Sequence, residues 1–238
     1  MERAERKAML LQEAKRIKDK ELRALVEDLL RDPVITFTQV TAKIPFEESP
    51  AAPKAHHSYP GGLIDHTIGV TRIARGIAES IGDLYGIEMN TDIITAAALL
   101  HDIFKYYQYE RDPITGGFRA REDWYLAHDF ALTAELTKRH APEELIRACA
   151  EVHGVYGNSL EGKIVHIADS ADAKIARELQ DLVYSACIDI ERDTDGKVLA
   201  IKTYYAIVQR VPLFALARIA LKSGRDALRE YIKRELKI

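Results

Sequence analysis

The chain has 238 residues, 47% of them hydrophobic, enough to bury a substantial core in one large domain. Charged residues make up 30% yet nearly cancel to a formal net charge of -3, a balance that argues against a grip on long nucleic acid and admits a small anionic substrate. Cys149 and Cys187 match no CxxC or zinc-ribbon spacing, and no run of about 18 apolar residues or signal-type leader occurs, so the expectation is a cytoplasmic protein with core thiols and no membrane segment.

In chain order, residues 2 to 31 read as one amphipathic helix, with Met9, Leu10, Ala14, Ile17, Leu22, Leu25, Val26 and Leu29 at helical spacing until Asp32-Pro33 stops it. Such a helix serves either as a cover for the core or as the contact of a homodimer. Residues 32 to 61 are loop-like, "EESPAAPKAHHSYPGG" being rich in proline and glycine. Helices are expected from Gly62 to about Tyr85 and, after the capping residues Asn90-Thr91, through "DIITAAALLHD".

The pattern breaks at Asp112-Pro113 and Gly116-Gly117, so 105 to 124 reads as a loop dense in Tyr, Phe and Arg. Further helices are expected at 126 to 140, at 142 to 153 with Pro142 in the first turn, and at 160 to 180. Residues 184 to 204 fit a hairpin or a helix break at Asp195-Gly196. The tail from Val211 reads as helix interrupted near Ser223-Gly224, and the class is all-α.

Placed on that map, His66 is early in one helix, His101 and Asp102 end the next, His128 opens another, His153 closes the following one and Asp169 sits mid-helix. Helices of a bundle aim such side chains at a shared point. Taken singly, a helix-end histidine is an ordinary cap, as His140 is expected to be. The set is different, because Asp102 follows "AAALLH" and Asp169 follows "IVHIA", apolar runs in which an unpaired carboxylate is costly to bury. A metal ion supplies the partner, and imidazole with carboxylate and no thiolate suits Fe, Mn, Co, Ni or Zn.

These residues carry a resemblance. The H…HD…D order of "GGLIDHTIGV", "ALLHDIFK" and "HIADSADAKI" is similar to the signature of the HD superfamily of metal-dependent phosphohydrolases, over about residues 55 to 180 of a single domain spanning 1–238. The resemblance implies a helical bundle with two divalent transition-metal ions, Fe or Mn first and Zn, Ni or Co next. It puts His66, His101, Asp102 and Asp169 on one ion, and His128 of "LAHDFA" and His153 of "EVHGVYG" on the other, with Asp102 bridging. Such a pair activates hydroxide and clamps the oxygens of an in-line displacement at phosphorus.

Lys105 matches the lysine of the family's HDIGK run, which implies contact with phosphate or leaving group, while Phe104 stands where glycine is usual. Phe104, Tyr107 and Tyr59 are therefore candidates for contact with a planar substrate. His56 and His57 resemble an "HHxYxGG" segment found in part of the superfamily, and His57 is a candidate acid, outer ligand or substrate contact, or a structural residue of the loop. Arg119, with Arg111 and Arg121, is a candidate for phosphate contact. His166 and Asp172 are expected to support the centre from behind.

The implied reaction opens a cyclic phosphate or phosphodiester of a small nucleotide-like molecule, as in the archaeal dihydroneopterin 2',3'-cyclic phosphate phosphodiesterase group. The competing readings are a 3'-to-5' exoribonuclease, a nucleotidase, and a nucleotide sensor without turnover.

Overall fold

The computed structural model describes residues 3–154 and 159–238; Glu2 and the Val155, Tyr156 and Gly157 of "EVHGVYG" lie outside the described residues. The stretch expected as one helix is two, α1 (Arg3–Ala14) and α2 (Lys20–Arg31). Asp19 accepts from the N–H groups of Glu21 and Leu22, and so starts a new helix. The N–H groups of Lys18 and Asp19 donate to Asp92 at 2.8 to 3.0 Å, which fixes the break against the core. Both helices turn their apolar stripe inward: Leu10, Ala14, Leu22, Val26, Leu29 and Leu30 are buried, so the stripe covers the core.

Helix α3 (Gly62–Tyr85) packs beside α4 (Thr91–Leu100), which Asn90 caps through the Ile93 N–H. Every residue of α4 from Ile93 to Leu100 is buried, as expected of a helix apolar on all sides. A 3-10 segment, Lys105–Gln108, then leads into a short antiparallel hairpin, β1 (Tyr109–Arg111) and β2 (Phe118–Ala120), with Glu110 paired to Arg119. This corrects the expected loop; three-residue strands are too short to show an alternating pattern.

Helices α5 (His128–Lys138) and α6 (Glu143–Val152) follow, Pro142 standing at the N-cap of α6 rather than inside its first turn. Helix α7 (Leu160–Asp193) runs 34 residues, well past the expected end near 180. The choice left open for 184 to 204 resolves to a helix break: Asp195 and Gly196 take φ of 49° and 75°, and α8 (Ala200–Val208) follows. Helix α9 (Leu213–Leu236) is interrupted at Gly224, where φ is 85°.

Two hydrophobic clusters result. The larger joins α1 to α6 with the first part of α7; the smaller joins the rest of α7 to α8, α9 and Phe118 of β2. No single helix among the described residues is long and apolar enough to cross a membrane.

Candidate metal centre

The all-apolar α4 carries the next two residues into the interior. His101 still makes the helical bond to Ala97, but the Ile103 N–H bonds to Leu100 and the Lys105 N–H to Asp102, tightening the backbone into a turn. Adjacent side chains thereby meet at one place. His66 reaches it from the first turns of α3, His128 from the first residue of α5, His153 from just past α6 and Asp169 from α7.

The Asp102 carboxylate divides the cluster. Its Oδ2 lies 3.4 Å from His66 Nε2 and 3.5 Å from His101 Nε2, while its Oδ1 lies 3.0 Å from His128 Nε2 and 3.3 Å from His153 Nε2. Asp169 Oδ1 joins the first side at 3.0 Å from His66 Nε2 and 3.9 Å from His101 Nε2. Two donor sets emerge, His66 with His101, Asp102 and Asp169, and Asp102 with His128 and His153, the donors of each within 4.8 Å of one another.

The donors fit cations. Nε2 of His66, His101, His128 and His153 and both oxygens of Asp102 are buried without a hydrogen bond of good geometry. Buried polar atoms rarely go unsatisfied. Neighbouring donors about 2.1 Å from a transition metal stand about 3 Å apart, close to the separations here. The donor chemistry, imidazole and carboxylate, is that of Fe, Mn, Co, Ni or Zn.

The electrostatics agree. His101 Nδ1–H donates to the Ala98 carbonyl at 2.8 Å, which leaves the Nε2 lone pair facing the cluster, and burial lowers its pKa to about 4. Burial also works against charge on His66, but bonds to Asp102, Asp169 and Asp172 outweigh it and raise the pKa to about 10. For Asp102 burial disfavours the anion, yet Lys105, His101, His128 and His153 hold the carboxyl well below its usual range. Lys105 Nζ sits 2.6 Å from Asp102 Oδ2; burial opposes its charge and Asp102 restores it.

Other expected site residues are placed differently. Phe104 and Tyr107 are in the larger hydrophobic cluster, where the Tyr107 hydroxyl accepts from the Ile35 N–H and its ring meets Trp124. Both rings follow the chain inward and pack in the core. Tyr59 is buried as well, its hydroxyl donating to Asp65. Arg119 pairs with Glu110, Arg111 with Glu48, and Arg121 with Asp123 and the Thr41 carbonyl, so all three already have protein partners. His57 is buried, and burial pushes its pKa well below the ordinary value. That environment favours the neutral imidazole, which keeps one N–H donor and one acceptor nitrogen. His56, His57 and His66 nonetheless form a third group of neighbouring donors.

Two backbone acceptors lie near the centre. The Ala98 carbonyl orients His101, and the Val152 carbonyl, just before His153, accepts from His166 Nδ1 at 2.7 Å. No side-chain pattern announces a backbone acceptor, so sequence reasoning misses them.

Comparison with known proteins identifies the family. A family model for the HD domain matches residues 63–174. The chain is 42% identical over 189 residues to the dihydroneopterin 2',3'-cyclic phosphate phosphodiesterase of Methanocaldococcus jannaschii, covering 77% of this chain and 74% of that protein. It is 31% identical over 147 residues to the 3'-5' exoribonuclease YhaM of Bacillus subtilis, covering 55% of this chain but 44% of the relative. No solved structure matches significantly. The chain belongs to the HD-domain family and is a metal-dependent phosphohydrolase.

Proposed function

We propose that this chain is a cytoplasmic, single-domain phosphodiesterase that opens the cyclic phosphate of a small nucleotide-like molecule, with 7,8-dihydroneopterin 2',3'-cyclic phosphate as its substrate. The observation that carries the metal-dependent chemistry is the set of buried nitrogens and oxygens without a hydrogen bond of good geometry, gathered on both sides of Asp102. The relative from M. jannaschii, whose printed activity is on that cyclic phosphate, supports the choice of substrate.

In this reading His66, His101, Asp102 and Asp169 hold one ion, and Asp102, His128 and His153 a second, Fe or Mn before Zn, Ni or Co. When bound, such ions acidify water and polarise phosphoryl oxygens. The residues do the rest. His101 presents its Nε2 because Nδ1 is committed to Ala98. Asp102, kept anionic in a buried place, ties the two sets together. Lys105 keeps its proton and offers a cation to the phosphate or the departing oxygen.

The test is metal analysis of the purified protein, followed by hydrolysis of bis-p-nitrophenyl phosphate and of a panel of cyclic phosphates, short RNA and mononucleotides at one Mn2+ concentration. Metal-dependent turnover with cyclic phosphates preferred is expected. A preference for RNA would favour the exoribonuclease reading, and a metal-free, inactive wild type would overturn the enzyme reading. Replacing His101 or Asp102 by alanine should lower turnover by at least about 10³-fold, since metal stabilisation is worth several kcal/mol.

A further inference from the structure

His66, a member of the first donor set, is held from behind. Asp169 and Asp172 lie one turn apart on α7, facing α3. Asp169 Oδ1 approaches His66 Nε2 at 3.0 Å, and His66 Nδ1–H donates to Asp172 Oδ2 at 2.7 Å. One turn of α7 thus grips the imidazole at both nitrogens. His57 Nε2 stands 3.7 Å from the same Asp172 oxygen and helps to wall it in.

A second observation concerns the backbone of α3. Gly69 is three residues after His66, hence on the same helical face. A Cβ built there would fall 2.1 Å from Asp172 Oδ1. No side chain fits while Asp172 keeps its bond to His66. Glycine inside a helix costs about 1 kcal/mol relative to alanine, so α3 is weaker than an alanine-bearing helix would be at the point where α7 must come close. Gly76, further along the same helix, makes the contrast: a Cβ there would meet nothing within 4 Å.

We propose that Asp172 is a positioning residue that fixes the tautomer and orientation of His66, with Gly69 providing the space it occupies. The inference rests on the reading of His66 as a metal ligand. With its proton on Nδ1 and bonded to a carboxylate, His66 presents the Nε2 lone pair toward Asp102 and Asp169 as a more basic donor. Partners behind a ligating histidine typically contribute about 10- to 100-fold in metal affinity.

The test is Mn2+ affinity by chelator competition, with circular dichroism melting of the metal-free protein to confirm folding. Asp172→Ala should weaken Mn2+ binding about 10- to 100-fold, and Asp172→Asn, which keeps an acceptor oxygen without the charge, should fall between it and wild type. Gly69→Ala should reproduce Asp172→Ala, the double variant should be no worse than either alone, and Gly76→Ala should bind as wild type does. If Asp172→Ala folds and binds Mn2+ like wild type while His66→Ala does not, the inference is overturned and the metal-centre reading stands. A wild type that binds no Mn2+ overturns that reading, and this one with it.

Discussion

At the scale of single residues, the centre is a balance between burial and charge. His66 illustrates it: with no cation present, three carboxylates draw a proton onto an imidazole that burial alone would keep neutral, and its pKa rises to about 10. Since the folded-state value exceeds the ordinary 6.5, the protonated group stabilises the metal-free fold fully below about pH 6.5, and that contribution is lost as pH climbs toward 10. Metal binding must expel the same proton. Isothermal titration of Mn2+ near pH 7, in buffers of different ionisation enthalpy, should show release of about one proton, with affinity rising about tenfold per pH unit. Affinity independent of pH between 6 and 8 would contradict a protonated His66. Phe104 supplies a second residue-scale prediction. Being almost fully buried in the larger cluster, its replacement by alanine should cost about 3 to 5 kcal/mol in urea unfolding. The ratio of turnover among phosphodiesters should stay unchanged in that variant.

At the scale of elements, local chemistry decides where helices begin and end. Periodicity ran through Lys18 and Asp19 without pause, yet Asp19 had a better use as a cap. Asp19→Ala should cost about 1 kcal/mol, measured by thermal unfolding, and the loss should be largest where α2 meets α4. The hairpin was equally hard to read. Its strands are held by packing: Phe118 lies in the smaller cluster, and a Cβ on Gly117 would enter the Tyr205 ring, 2.2 Å from its atoms. Gly117→Ala should therefore displace β2 and destabilise the protein by about 1 to 3 kcal/mol, visible as a lower melting temperature. Helix α4 was legible end to end because its apolar run, Asn90 cap and terminal His101-Asp102 all agree. The convergence of the six candidate ligands was legible from their places near helix ends or mid-helix together with the resemblance of their order to a family signature. The surroundings of Phe104, Tyr107 and the arginines were not legible, because a sequence does not disclose whether an aromatic or a cation faces a pocket or a neighbour.

At the scale of the whole molecule, α7 joins the parts. Its first half carries Asp169 and Asp172 against α3, and its second half places Val183, Ala186, Cys187 and Ile190 in the cluster shared with α8 and α9. The smaller cluster thus holds one end of the helix that supplies a side of the metal centre. Five elements meet at that centre, so a ligand that binds only the folded chain should stabilise all of them together. Mn2+ at about 100 times its dissociation constant should add about 2.7 kcal/mol, and a chelator should reverse the rise in melting temperature.

The central claim is that Asp102 links two ion sites, and equilibrium Mn2+ stoichiometry tests it most directly. Wild type should bind two ions per chain, His128→Ala one, and Asp102→Ala neither with comparable affinity. One ion in the wild type, or two retained in Asp102→Ala, would contradict the account.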